Sequence, residues 1–324
     1  MKKTLIALAA LAATGAFAQS VTLYGKADVA VGSADKAGGY IGLANDKFQA
    51  LASGTLNNGN SRFGLKGVED LGGGLSALFN YEGGINIANG AGNSSGGQLF
   101  SRAANVSLKG GFGELRAGRT LTTSFFSVAS WELTGTANYS VVANQFGFGG
   151  VGPRDSAAVM YNSPAFGGFS FSGSMMNEGN AAATGYAKGK YDVSATYAQG
   201  PIVVSAAFNS ADNDAAGKTE GSVIGGKYDF GSFAVAGSFA SLKVAGATVG
   251  EGYTLGVSAP LGPITLTFDT ATDTKVSGND TDYVLEAKYA LSKRTFLYAV
   301  YLRDGKGKTA NDISGYSLGI NHAF

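Results

Sequence analysis

The chain has 324 residues, with 24 Lys and Arg against 23 Asp and Glu, one His and no Cys. So even a balance lacks the electrostatic footprint of a nucleic-acid binder, and the absence of Cys removes disulfide scaffolding and thiolate metal sites together. Gly, at 51 residues, is about twice its usual share but shows no Gly-X-Y period, which excludes collagen.

Taken from the start, Lys2 and Lys3 precede an apolar run from Thr4 to Ala13, and Ala16, Phe17 and Ala18 supply a small-residue cleavage site. Residues 1–18 therefore read as a cleaved export signal, leaving 19–324 as the mature domain. Loss of Lys2 and Lys3 leaves 22 basic and 23 acidic groups, close to neutral. After the signal no apolar run of about 18 residues occurs, so no helix is expected to cross a membrane. Only helices and closed barrels satisfy every backbone polar group in lipid, so a membrane home would require a barrel.

Period-two alternation, which marks strands with one apolar and one polar face, recurs sixteen times. Val21 to Val31 opens the series, with Thr22, Tyr24, Lys26 and Asp28 on its polar face. Ser61 to Val68 follows, with Phe63 and Leu65 outward and Arg62 and Lys66 inward, and then Leu75 to Glu82, Arg102 to Lys109, Glu114 to Arg119 and Asp155 to Tyr161. Phe169 to Met176, Tyr186 to Gln199, Ile202 to Ser210, Gly221 to Asp229 and Phe233 to Leu242 continue it. Glu251 to Ser258, Ile264 to Thr272, Asp282 to Ala290, Thr295 to Arg303 and Ile313 to Phe324 complete it.

The connections alternate between tight turns and long loops rich in Gly, Asn, Asp and Ser, which is the barrel rule and not the habit of a β-sandwich. The fold expected is an all-β, 16-stranded antiparallel transmembrane barrel. An even strand number returns both chain ends to one side, and sixteen strands leave an aqueous lumen. The Gly clusters at 72–74 and 110–113 lack the strand-to-helix setting of a phosphate loop and read as turns. Outward aromatics such as Tyr283, Tyr289, Tyr298 and Phe239 suit interfacial girdles.

The loop from Thr120 to Arg154 is out of scale. It carries Phe125, Phe126, Trp131, Tyr139, Phe146 and Phe148, and Glu132 is its one interior charge. Six aromatics predict that this third external loop folds inward, packs on the wall and narrows the pore. At the far end, Tyr316, Leu318, Ile320, His322 and Phe324 alternate with small or polar residues right to the last position, as in barrels whose final strand closes the sheet. His322 stands on the outward face. One outward His and no Cys leave little for an enzyme to work with, so no catalytic residue, cofactor or metal is expected.

The stretches VTLYGKADVAVG, SRFGLKGVEDLGGGLSALFNYE, GELRAGR, YNSPAFGGFSFS, YALSKRTFLYAVY and GYSLGINHAF lie in order from Val21 to Phe324. In that order they resemble the general diffusion porins of Gram-negative bacteria, beta-proteobacterial branch. The resemblance implies an outer-membrane homotrimer, each barrel with its own pore, set in lipid and lipopolysaccharide and assembled by machinery that reads the terminal Phe324. It implies a basic wall cluster at Lys26, Arg62 and Arg119, which Lys66 and Arg116, inward by parity, would extend. The acidic side departs from the family: no P-E-F-G-G segment occurs in the loop, leaving Glu132 and, at the base of the next strand, Asp155. With cations outnumbering acids, the expectation is a passive channel for ions and small solutes that prefers anions. The alternative is a substrate-selective channel with a specific inner site; an aromatic track on the inward faces would favour it, and Tyr24, Tyr139 and Trp131 are too few and too scattered to decide.

Overall fold

A computed structural model describes residues 19–35, 48–52, 54–92, 97–146, 152–177, 189–212, 217–275, 279–305 and 312–324. The expected export signal, Phe148 and the start of the strand expected from Tyr186 lie outside them. Seventeen strands form one antiparallel sheet among these residues. They are β1 (Gln19–Ala34), β2 (Gln49–Leu51), β3 (Arg62–Gly72), β4 (Leu75–Gly84), β5 (Ala103–Gly110), β6 (Gly113–Leu121), β7 (Arg154–Asn162), β8 (Phe169–Met176) and β9 (Lys190–Gln199). There follow β10 (Ile202–Asp212), β11 (Lys218–Asp229), β12 (Ala234–Val244), β13 (Ala247–Leu261), β14 (Ile264–Asp273), β15 (Asp280–Ala290), β16 (Thr295–Asp304) and β17 (Ile313–Ala323). Sixteen are the expected wall strands, in the expected order. The addition is β2, a three-residue piece of the first long loop paired with Ala30 to Gly32. No described helix is long and apolar enough to cross a membrane.

Closure is made by β1. Its first half pairs with β3 and its second half, from Lys26, with β17. Phe324 exchanges two backbone hydrogen bonds with Gly25, at 3.0 and 3.1 Å. A Cβ at Gly25 would stand 2.3 Å from the Phe324 ring, so only Gly lets the terminal aromatic lie across β1. His322 is outward, as expected, with its Nδ1 2.8 Å from the Thr295 hydroxyl. At the β3–β4 turn Gly72, Gly73 and Gly74 take φ of +81°, +62° and +80°, a conformation that favours Gly and confirms the turn reading.

Behind the closure Asp28, fully buried on β1, gathers the neighbouring elements. Its carboxylate accepts from Asn57 Nδ2 at 2.9 Å, Tyr298 OH at 2.8 Å and Asn321 Nδ2 at 2.5 Å. Tyr298 is thus a lumen-side residue, not the outward girdle residue expected. Both faces of β16 are apolar, with Val300 and Leu302 inward and Leu297 and Tyr301 outward, so alternation cannot orient it. Asp28→Ala would orphan three buried donors, each at about 1–3 kcal/mol. The expected result is a barrel that unfolds in detergent at a clearly lower temperature than the parent, read by its heat-dependent gel mobility. An unchanged transition would refute the hub.

Candidate functional site

The long loop folds inward as expected and divides the lumen. It contains two short helices, α1 (Thr123–Ala129) and α2 (Val141–Phe146). Thr122 caps α1, its hydroxyl accepting from Phe125 N at 3.1 Å. The helix docks by its small polar face: Ser124 N and Oγ donate to Asp192 at 3.0 and 2.7 Å, Asn209 Nδ2 donates to Ser124 Oγ at 2.9 Å, and Ser127 Oγ lies 2.8 Å from Ser205 Oγ.

Beyond α1 the contact turns apolar. Trp131, 1% exposed, packs with Val128, Val142 and Phe146 against Ala207, Val223, Ala236 and Ala240 of the inner wall. Tyr139, fully buried, packs with Ala137 and Val141 against Ala271, Val284, Val300 and Leu302. Its hydroxyl donates to Glu286 and accepts from Asn58 Nδ2 at 2.8 Å. Burial first, and the Glu286 charge second, push the Tyr139 phenol well above its ordinary range, so it stays a neutral donor. Where the loop covers them, the inner faces of β10 to β16 set Val, Leu and Ala beside Ser205, Asn209 and Glu286, which bond to it.

Two cavities lie along the inner wall formed by β1 and β3 to β7. The upper one, about 690 Å³, has among the described residues Lys26, Arg62, Arg102 and Arg154 as its cations and Glu82 as its one carboxylate. Lys26 and Arg62 are direct partners in the β1–β3 ladder, which puts them on one face. Glu82 lies 3.4 Å from Arg62 Nε and 2.6 Å from Arg102 Nε, and accepts from Tyr24 OH at 3.0 Å. Arg154 Nε donates to the Arg102 carbonyl at 3.1 Å. The lower cavity, about 430 Å³, shares Glu82, Arg102, Arg154 and Leu121 with the upper one. These four groups border both cavities.

The structure redistributes the residues singled out from sequence. Lys26 and Arg62 stand in the upper cavity. Lys66 and Arg116 are lumenal, as parity required, but in the lower cavity, where Arg116 is paired with Glu114 at 2.8 Å. Arg119 lines neither cavity. It pairs in the ladder with Ala104, on the face opposite Arg116, and its guanidinium donates to the Ser101 carbonyl and Ser156 hydroxyl.

The acids differ too. Glu132, 5% exposed, does not oppose the cluster: its carboxylate accepts from Thr134 Oγ1, Thr136 N at 2.6 Å and Ser140 Oγ at 2.7 Å, tying the bend between the helices. Asp155 is buried in an ion pair with Lys190 at 2.6 Å. Each is consumed by its own local partners. Sequence reasoning missed Arg102, Arg154 and Glu82. Glu82 was readable, being inward by parity with Asn80 on β4, whereas the two arginines stand just before or at the start of their strands, where parity does not apply. Trp131 and Tyr139, buried against the wall, form no aromatic track beside Tyr24. The described group with a spacing suited to a hard cation is Asp280, Asp282 and Asp304, buried carboxylates within 4.8 Å of one another and away from both cavities.

The family model for Gram-negative porins matches residues 4–320. This chain belongs to the Gram-negative porins. Across the full length of both chains it is 34% identical to outer membrane porin protein 32 of Delftia acidovorans and 30% identical to an outer membrane porin protein of Bordetella pertussis. Among solved structures, the anion-selective porin from Comamonas acidovorans superposes with a TM-score of 0.78 at 27% identity, over 94% of this chain and all of that one. OmpT of Vibrio cholerae, at 14% identity and a TM-score of 0.68 over 95% of this chain and 98% of that one, shares the fold. The porin is thus an outer-membrane protein and a passive diffusion channel, not an enzyme. Both cavities are bordered by the inserted loop.

Proposed function

We propose that this porin prefers anions, that residues 19–324 form the mature barrel after removal of 1–18, and that it works as a homotrimer. The observation that carries the preference is the throat's charge count among the described residues: Lys26, Arg62, Arg102 and Arg154 against Glu82. Among the described residues the loop brings only uncharged groups to the same cavity, Phe125, Thr136, Asn138 and Asn144 among them, where an opposing acid would have cancelled the field. Low-dielectric walls focus that field and raise the local anion concentration, although the whole chain is near neutral. Similarity to the Comamonas porin, which is described as anion-selective, supports the same reading. Trimerisation is supported by family membership and by the small outward residues Ala104 and Ala117 on β5 and β6, which permit close wall-to-wall packing. Phe324, locked on Gly25, is in place to act as the signal for the barrel-assembly machinery, and the outer rim to meet lipopolysaccharide.

The test is a planar-bilayer recording in a KCl gradient. The reversal potential is expected on the chloride side, with conductance closing in three equal steps. The preference should shrink towards about 1 M salt, where the screening length falls to about 3 Å. A potassium-preferring channel at low salt would overturn the assignment.

A further inference from the structure

We infer that the throat holds a subsite for carboxylates that carry an apolar body, an aromatic monocarboxylate being the best fit; this deepens the anion-preferring reading and rests on it. The inference starts from the way α1 docks. A helix against a wall ordinarily buries its apolar side and shows water its polar side. Here the buried face carries, beside Val128, the polar Ser124 and Ser127 set against Asp192, Asn209 and Ser205, and Phe126 is turned out, 40% exposed, into the lower cavity. Its neighbour Phe125 lines the upper cavity, the two rings meeting edge to face at 6.1 Å between centroids. Leu121 lines both.

The lumen at this level therefore has two unlike sides. One is the guanidinium pair Arg102 and Arg154, present in both cavities. The other is the apolar strip of Leu121, Phe125 and Phe126. Chloride or acetate can use only the first side. A benzoate can place its carboxylate at the arginines, in the planar geometry a guanidinium favours, and its ring against the phenylalanines, where aromatic contact adds to the burial of area. Phe126 keeps 40% of its surface in a water-filled passage, while the loop is held by Trp131, Tyr139 and the α1 hydroxyls. Each cavity, at several hundred Å³, is wide enough for a single ring.

The experiment measures how far benzoate, acetate and neutral benzamide each reduce the single-channel chloride current of the intact porin at neutral pH. Benzoate is expected to half-block at a concentration about tenfold lower than acetate, and benzamide to have little effect. In Phe126→Ala, whose exposed side chain makes it a mild change, and in Phe125→Ala, the half-block by benzoate should rise towards that of acetate, while acetate itself is unmoved. Phe126→Leu should keep part of the difference. Arg102→Gln should weaken benzoate and acetate together. Equal block by benzoate and acetate in the parent, or a difference that survives loss of both rings, overturns the subsite while leaving anion preference intact. Block by benzamide equal to that by benzoate also overturns it, because the carboxylate would then contribute nothing. A potassium-preferring reversal potential in the same recordings would instead overturn the parent reading, so the two failures are distinct.

Discussion

Replacing Arg102 and Arg154 together by Gln should move the reversal potential from the chloride side close to zero, the largest change in selectivity available to a pair of substitutions here. These two line both cavities, so an ion that crosses from one to the other passes them. A unit charge about 8 Å from a guanidinium gains about 2 kcal/mol at an effective dielectric of about 20. Mobile ions and water cut this, but even about 1 kcal/mol per site raises an anion's barrier and lowers a cation's at once. The permeability ratio should therefore fall at least tenfold, since about 1.4 kcal/mol is one decade. The Lys pair at the same positions should keep most of the preference.

Two further variants make the assignment specific. Glu82→Gln removes the carboxylate of the throat and frees Arg62 and Arg102 from their ion pairs, so anion preference should rise. Arg119→Gln and Glu132→Gln, the changes the sequence alone would have chosen, should leave the reversal potential unmoved, one lying outside both cavities and the other consumed within the loop. A shift with Arg119→Gln and none with the Arg102 and Arg154 pair would reverse the assignment.

Gly225→Val should release the loop and raise the unit conductance. Gly225 faces inward on β11, and a Cβ there would stand 2.5 Å from Trp131 Cε2 and Cζ2 and 2.8 Å from Ser238 Cβ. Neither neighbour is the free end of a flexible chain. Overpacking of this kind costs about 1–3 kcal/mol, and it falls on the ring that holds the loop to β10–β12. Trp131→Ala should act in the same direction, forfeiting about 3–5 kcal/mol of packing. Combining the two removes the clash, because the valine fills space the indole has left. The double variant should therefore conduct more like the parent than the sum of the single changes implies, a coupling of the sort neighbours show. Single variants with parental conductance and noise would refute the loop as the element that narrows the pore.

Period-two alternation laid out the sixteen wall strands, because lipid outside and water inside impose opposite chemistry on successive residues. The rule fails on β16, whose inward Tyr298, Val300 and Leu302 face the loop instead of water. It also cannot place Arg102 and Arg154, which stand just before or at the start of their strands. Six aromatics in one loop were enough to predict that it folds inward, for exposed loops have little use for them.

Which charges meet in the throat was beyond the sequence. The throat charges meet across the neighbouring strands β1, β3 and β4 and the approaches to β5 and β7, where register and side-chain reach decide the pairs, and a carboxylate can be consumed locally before it reaches the lumen. Glu132 satisfies the bend between α1 and α2, and Asp155 neutralises Lys190, so neither opposes the arginines. The sequence by itself determined the barrel, its closing strand and its inserted loop, since these follow from repeated local chemistry. The tertiary structure alone decided that Glu82 faces Arg62 and Arg102, which depends on the register of β3, β4 and the approach to β5, and that phenylalanines stand where an acid was expected, which depends on how the loop is seated against the wall.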